Sequence, residues 1–173
     1  ARSLNGYSIF KLLDSCRDLF LDFGGHEGAA GFAIKTENIP ELTRRLEKKA
    51  YDEITDEMLI PKIKIDTEIL PNQINLSLAK ELETLSPYGQ GNSNPIFITR
   101  NLRLKEIKQV GANGAHLKLK LSSGQGQLDA IGFRMGEIVK DLNFNATYDV
   151  AYNLECNEWN GFESAQLNLV DIK

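Results

Sequence analysis

The sequence predicts an α+β protein in which a small α/β unit precedes a five-stranded β-barrel. Two observations lead to this fold class. Apolar residues recur at helical spacing through most of residues 1–85, and they alternate with polar residues from residue 96 onward. The chain has 173 residues, of which 42% are hydrophobic, so it is long enough to bury a core in each of two units.

Two segments near the N-terminus have the apolar spacing of amphipathic helices. The first predicted helix runs from Ser8, a suitable N-cap, to Asp22, and Gly24 would end it. The second begins after Asn38, with Pro40 in its first turn. Its apolar stripe comprises Leu42, Leu46, Ala50 and Ile54.

Residues 61–95 are predicted to link the two units, which we assign to residues 1–60 and 96–173. Within the link, residues 62–66 alternate as a short strand would, and residues 75–85 have the spacing of a third helix. The run SPYGQGNSNP that follows is dense in turn-forming residues and marks the boundary.

From residue 96 the pattern gives three strands, a short helix and two further strands. The strands are predicted over residues 96–108, 116–121, 127–133, 147–156 and 163–172, and the helix over 136–142. The turns SSGQG and NEWNG join strands two and three and strands four and five. This order is that of an oligonucleotide/oligosaccharide-binding (OB) barrel, whose second and third strands offer a ligand face. A small SH3-like barrel or a simple meander is the alternative.

Charge and composition narrow the function classes. The net charge is −4, yet residues 86–120 contain six lysines and arginines against one glutamate, and such a local excess favours a polyanionic partner. Cys16 and Cys156 lie in apolar patterns and predict reduced core residues of a cytoplasmic protein. No apolar run approaches the roughly 20 residues of a membrane helix. With His26 and His116 the only histidines, no metal-site spacing, catalytic triad or Walker loop is found.

The stretch FGGHEGAAGF, residues 23–32, surrounds one histidine with very small side chains. If Gly24 and Gly25 end a helix, their backbone amides form a nest for a phosphate, and His26 donates to the same anion. The alternative is a helix cap without a ligand, in which His26 is an exposed turn residue.

Several stretches resemble known families. GGHEGAAG, Gly24 to Gly31, resembles the GGH-x-x-A-A-G signature of DHHA1 domains, and ARS, Ala1 to Ser3, resembles the end of the segment that precedes it in RecJ. LETLSPYGQGNSNPIF, Leu82 to Phe97, and HLKLKLSSGQGQLDAIGF, His116 to Phe133, resemble stretches of RecJ. The resemblance therefore spans nearly the whole chain.

The resemblance implies the C-terminal region of a RecJ-type exonuclease, which removes nucleotides from the 5′ end of single-stranded DNA. The chain has no D-H-H motif, so the catalytic DHH domain and its Mn²⁺ or Mg²⁺ would lie N-terminal to Ala1. No catalytic residue, metal ligand or cofactor is expected in this chain, which alone would be inactive. Carried over residue by residue, the resemblance gives a substrate-phosphate site of Arg2, Ser3, Gly24, Gly25, His26, Ala29, Ala30 and Gly31.

The barrel would then track the single strand, with a basic groove for phosphates and aromatic side chains on which bases stack. The candidate basic contacts are Arg100, Arg103, Lys105, Lys108, His116, Lys118 and Lys120. Phe133 and Trp159 are the candidate stacking platforms, with Tyr88 and Tyr152 as further aromatic residues. The alternatives are lysines that merely keep a strand edge soluble and aromatic residues that belong to the core.

Three functions follow from these patterns. The favoured one is the DNA-binding part of a RecJ-like exonuclease, with a single-strand-binding protein or a helicase as possible partners. The second is part of a DHH/DHHA1 phosphoesterase that acts on short oligonucleotides or cyclic dinucleotides, which the barrel disfavours because a dinucleotide needs no track. The third is a non-enzymatic nucleic-acid-binding module, related to the DHHA1 region of alanyl-tRNA synthetases.

Overall fold

The computed structural model describes residues 1–4, 6–124 and 126–173, and these form two compact units, residues 1–63 and 64–173. The division falls within the predicted linking segment. The rest of that segment belongs to the second unit because its residues Ile74 and Ala79 are buried in that unit's core. The predicted SSGQG turn contains Gln125, which lies outside the described residues.

The first unit pairs two strands and adds helices. Its elements are α1 (Ile9–Asp14), β1 (Phe20–His26), β2 (Ala29–Ile34), α2 (Ile39–Glu53) and α3 (Asp56–Leu59). β1 and β2 are antiparallel. α2 confirms the second predicted helix, although the Asn38 side chain does not cap it and instead donates to the Leu19 carbonyl at 3.3 Å.

The first helix is shorter than predicted, because the chain enters β1 at Phe20. Phe20 and Phe23 suggested a helix by their spacing of three. A register shift between Phe20 and Asp22 inserts a bulge, and a bulge brings residues three apart onto one face of a strand. The ring centroids of Phe20 and Phe23 lie 5.6 Å apart, and those of Phe20 and Phe32 lie 4.5 Å apart. Phe20 and Phe23 therefore have the sequence spacing of a helix, but they lie on a bulged β-hairpin.

The second unit contains a six-stranded sheet. Its elements are β3 (Thr67–Glu68), α4 (Leu76–Glu83), β4 (Phe97–Val110), β5 (His116–Ser122), β6 (Leu128–Gly132), β7 (Thr147–Trp159) and β8 (Phe162–Ile172). The strand order is β3-β4-β5-β6-β8-β7, and β4 also pairs with β7. The β3–β4 and β6–β8 pairs are parallel, and the other pairs are antiparallel.

The five strands from β4 to β8 confirm the predicted ones, with ends that differ by at most three residues. α4 confirms the third predicted helix, and a 3₁₀ helix (Gly136–Asp141) stands where a short helix was predicted. The predicted strand over residues 62–66 is wrong. β3 begins only at Thr67, whose partner Phe97 is the first residue of β4. Asp66 before it donates its N–H to the Ile96 carbonyl at 2.8 Å, but residues 62–66 are not part of the strand.

One hydrogen-bonded chain of hydroxyls lies inside the core of the second unit. The hydroxyls of Thr99 and Tyr152 are 2.8 Å apart, and Thr99 Oγ1 donates to the Ile69 carbonyl at 2.8 Å. Thr99 has a single hydroxyl proton, so the Tyr152 phenol must be the donor to Thr99. Burial raises the pKa of Tyr152 to about 12, which keeps that proton in place. These hydrogen bonds link β7 and β4 to the segment that precedes α4.

Thr99→Val is expected to lower the free energy of unfolding of the second unit by about 1–3 kcal/mol, because it leaves the buried phenol of Tyr152 without its acceptor. Tyr152→Phe is expected to cost about 1 kcal/mol, because Thr99 keeps its bond to Ile69. Denaturant titration of both variants measures the difference. A larger loss for Tyr152→Phe would contradict the assigned direction of the hydrogen bonds.

Candidate nucleic-acid interface

The glycine-rich stretch forms a β-hairpin. Gly25 pairs with Ala30 and His26 with Ala29, across a turn at residues 27–28. Gly24 and Gly25 therefore lie within β1, and the prediction that they end a helix is wrong. The helix-end nest and the helix cap, which both depended on that position, are absent from this described segment.

The N-terminal residues lie along the other edge of β2. Arg2 forms a bridge with Ala29, and Ser3 donates its backbone N–H to the Gly28 carbonyl at 3.0 Å. The hairpin thus brings Arg2, Ser3, Gly25, His26, Ala29 and Ala30 together, whereas Gly24 and Gly31 face each other one step further along the ladder. The Ser3 hydroxyl is already used, since it donates to the Glu27 carbonyl and accepts from the Ile9 N–H.

The His26 ring is oriented by its own turn. The Gly28 N–H donates to Nδ1 of His26 at 3.1 Å, so in the neutral ring the proton is on Nε2, which points away from that bond. The side chain is exposed. An exposed imidazole N–H and the exposed Arg2 guanidinium on the same hairpin can both donate to an anion.

Gly25 is required by the hairpin geometry. It has φ +155°, and a Cβ there would lie 2.4 Å from the Ala29 carbonyl oxygen. Gly24, its neighbour in the same strand, has open space around the Cβ position.

Gly25→Ala is expected to lower the free energy of unfolding of the first unit by about 1–3 kcal/mol, because the new methyl group overlaps backbone that cannot move freely. Gly24→Ala is the matched control and is expected to stay within about 0.5 kcal/mol of the parent. Thermal and denaturant unfolding measure both. Equal stability of the two variants would contradict the close approach at Gly25.

β5 divides its side chains between the core and the outer face of the sheet. Leu117, Leu119 and Leu121 have no exposed surface. Lys118 and Lys120 therefore lie on the outer face, as the alternation predicts.

A groove of about 410 Å³ follows this face along β4 and β5. We call it the basic groove, and its charged lining residues are Glu106, Lys108, Lys118 and Lys120. Lys108 pairs with Glu106, and its hydrogen bond holds the pKa of Glu106 below the ordinary value. Lys120 lies 4.0 Å from Asp129. Among the described residues Lys118 has no ion-pair partner, so its charge is the most available to a ligand.

A second groove, of about 510 Å³, continues across β6, β8 and β7. We call it the aromatic groove. Its lining residues are Val110, His116, Lys118, Asp129, Ile131, Phe133, Asn157, Trp159, Ser164 and Gln166. Because Lys118 lines both grooves, they form one continuous surface.

The aromatic groove keeps its rings accessible. Phe133 is 56% exposed and Trp159 is 73% exposed. The His116 ring stands edge-on to Phe133, with centroids 5.3 Å apart, and its Nδ1 accepts the Arg134 N–H at 3.0 Å. This bond directs the neutral ring's proton to Nε2.

Other predicted contacts lie elsewhere. Arg100 is held by Glu68 at 3.1 Å and by Asp149 at 2.7 Å, so its charge is compensated. Arg103 and Lys105 are exposed but line neither groove. Tyr152 is in the core, and the half-buried Tyr88 donates its hydroxyl to the Leu82 carbonyl at 2.6 Å, so neither is an open platform.

Sequence reasoning missed one exposed aromatic residue beside Trp159 and two polar residues that line the aromatic groove. Phe162 is 78% exposed and pairs with Trp159 across the turn of Asn160 and Gly161. The Asn-Gly turn is a strong hairpin signal that fixes this register, so it could have identified Phe162. Asn157 and Gln166 reach the groove through the β6–β8 pairing, which no local pattern of residues predicts.

Comparison with known proteins decides the family. The RecJ OB domain model matches residues 65–171, which is more than half of the chain. This chain belongs to the RecJ family. The match confirms the resemblance and favours the OB prediction over the SH3-like and meander alternatives.

The RecJ relatives cover the chain almost completely. The single-stranded-DNA-specific exonuclease RecJ of Bacillus subtilis is 33% identical over 99% of this chain and 22% of its own length. The Haemophilus influenzae enzyme of the same name is 33% identical over 99% of this chain and 30% of its own length. The chain therefore spans about a quarter of the length of the curated relatives it matches.

A crystal structure of Thermus thermophilus RecJ in complex with Mn²⁺ matches 96% of this chain and 24% of its own, with a TM-score of 0.76 and 28% identity. A second structure of that protein contains Mg²⁺. In the described part of this chain, no three His, Cys, Asp or Glu side chains are grouped to hold a metal ion. No described helix is long and apolar enough to cross a membrane.

Proposed function

We propose that this chain is the single-stranded-DNA-binding portion of a RecJ-like 5′–3′ exonuclease. The observation that carries the proposal is the continuous surface formed by the basic and aromatic grooves. It combines a free lysine with exposed aromatic rings, as binding of single-stranded nucleic acid without sequence preference requires. The names of the relatives, single-stranded-DNA-specific exonucleases, support the substrate.

The second unit acts as an OB barrel in this proposal. β4 pairs with both β5 and β7, so the pairings of β4, β5, β6, β8 and β7 return to their starting strand. β5 and β6 are then the second and third barrel strands, whose outer face is the usual ligand face of this fold. Both grooves include residues of that face, with Lys118 and Lys120 in the basic groove and Asp129 and Ile131 in the aromatic groove.

Phosphates follow the basic groove and bases stack in the aromatic groove. Lys118 contributes most, because Lys108 and Lys120 share their charge with neighbouring carboxylates. Phe133 and Trp159 are the platforms, with His116 as a further donor. Arg103 and Lys105 extend the phosphate path along β4, and Arg100 has a structural role in its two ion pairs.

The first unit is a DHHA1-like domain that holds a substrate phosphate near the 5′ end. Arg2 and His26 donate to the phosphate, and Ser3 holds the turn through its two hydrogen bonds. Gly24, Gly25, Ala29, Ala30 and Gly31 supply a floor of small side chains that lets a phosphate approach the backbone.

Hydrolysis belongs to other parts of the longer protein. A divalent metal, Mn²⁺ or Mg²⁺ as in the Thermus structures, would activate the attacking water there. Among the described residues no donor groups are gathered that fit such a site. In the proposal, this chain binds and positions the DNA. The extended surface formed by the two grooves also favours the exonuclease over a phosphoesterase that acts on dinucleotides, because a dinucleotide needs no such surface. A single-strand-binding protein or helicase partner stays a prediction.

Lys118→Ala is expected to flatten the plot of log K against log salt for a single-stranded oligonucleotide by about 0.7, which is one phosphate contact. Adding Lys120→Ala brings the change to at most roughly 1.4. Fluorescence anisotropy measures both, and oligo-dT and mixed sequences should lose affinity alike because phosphate contacts carry no base information. The control is Lys140→Ala with Lys173→Ala, which removes the same charge outside both grooves. Equal slopes for parent, test and control would contradict the proposed path.

His26→Ala is expected to weaken binding of a 5′-phosphorylated oligonucleotide about tenfold, because a hydrogen bond to a charged group is lost. Binding of the same oligonucleotide with a 5′-hydroxyl should not change. Lys35→Ala removes an exposed cation elsewhere in the first unit and serves as the control. Loss of affinity for both oligonucleotides to the same extent would argue against a 5′-phosphate site at the hairpin.

A further inference from the structure

The β7–β8 hairpin ends in two adjacent aromatic side chains. Asn160 and Gly161 form its two-residue turn, and both have positive φ, as a type I′ turn requires. The turn pairs Trp159 directly with Phe162, so the two side chains lie next to each other on the same face of the hairpin. They are the two most exposed large hydrophobic side chains in the described part of the second unit. Most of each ring is therefore open to a ligand.

The two faces of this hairpin end differ in charge. The face with the rings continues through the paired residues Asn157 and Ser164, which line the aromatic groove, and it carries no charged side chain at these positions. The reverse face carries the paired carboxylates of Glu158 and Glu163. Carboxylates repel the phosphates of DNA. The face with the rings is therefore the one that a DNA strand can follow out of the groove.

The reverse face also holds the hairpin in place. Glu163 of β8 forms an ion pair with Lys80 of α4, which links the hairpin end to that helix. Because the hairpin is supported from behind, its aromatic face is presented without the need to order a loop. A ligand that binds there loses little affinity to ordering of the chain.

The two rings continue the aromatic groove. Trp159 lines the groove, and its pairing partner Phe162 lies beside it at the end of the hairpin. Side chains at directly paired positions have Cβ atoms about 5 Å apart. A base that stacks on Trp159 thus has a second aromatic surface beside it, which can accept the neighbouring base whatever its identity.

We propose that Phe162 is a further base-stacking residue, which extends the aromatic groove beyond Trp159 to the end of the β7–β8 hairpin. The inference rests on the proposed single-stranded-DNA function. It lengthens the proposed DNA path by one nucleotide at a defined end of the surface, and it assigns no base preference.

The test uses a labelled oligo-dT of about 12 nucleotides, within the site size of an OB domain. Phe162→Ala is expected to weaken its binding about tenfold, the loss of one stacked base, with an unchanged salt slope because the lysines are intact. Phe162→Tyr keeps a ring and should bind like the parent, whereas Phe162→Leu keeps only apolar bulk and should bind like the alanine variant. Phe144→Ala removes an exposed ring of the same unit outside both grooves and is the control. Fluorescence anisotropy measures each affinity.

Trp159 reports the position of the strand independently, because it is the only tryptophan of the chain. Stacking of a base on its indole ring is expected to quench its fluorescence, both in the parent and in Phe162→Ala at saturating oligo-dT. An oligonucleotide of abasic residues should cause no quenching and should bind the parent and Phe162→Ala equally, because it has no bases to stack.

The outcomes separate this inference from the proposed function. If Phe162→Ala or Phe162→Leu binds oligo-dT like the parent, or if Phe162→Ala also weakens binding of the abasic oligonucleotide, the stacking role of Phe162 is overturned and the proposed function stands. Dimers of the parent that Phe162→Ala abolishes, measured by sedimentation, would assign the rings to a second copy of the chain and overturn it as well. A parent chain that does not bind oligo-dT would overturn both.

Discussion

The strict alternation of β5 is the constraint on which the second unit depends. Its three leucines are fully buried, so the two intervening lysines must lie on the opposite face of the sheet. A shift of one residue would bury both charges and expose the core, which makes the register costly to change. The buried core and the proposed ligand surface therefore follow from the same alternation. Pairing with β5 determines which side chains of the neighbouring strands face inward and which face outward.

The sequence predicts the second unit well because its elements are local. The period of two and the Asn160–Gly161 turn determine strands and hairpin from neighbouring residues. The outward position of Lys118 follows from the same pattern. The prediction of the first helix failed for a different reason. Phe20 and Phe23 are three residues apart, which suits a helix, but a bulge in β1 also places residues of that spacing on one face of a strand. Periodicity alone does not separate these two structures.

The rest of the candidate interface depends on pairings between distant parts of the chain. Gln166 reaches the aromatic groove because β8 lies parallel to β6, and no local sequence motif predicts that pairing. Likewise, Arg100 looked available in the sequence, but Glu68 and Asp149 come from segments far from it in the chain and neutralise it. Charge that is visible in a sequence overstates the charge that a folded surface can offer.

The ion pairs of Lys108 and Lys120 weaken the hold of the proposed surface on a DNA strand. A phosphate that binds Lys108 or Lys120 must compete with a carboxylate already beside it, so each such contact gains less than a free lysine would. Among the described residues Lys118 has no carboxylate at salt-bridge distance, although Glu106 lines the same groove. A groove with one free and two compensated cations binds a backbone without holding every phosphate firmly. Under the proposed function, a strand then advances by exchanging weak contacts.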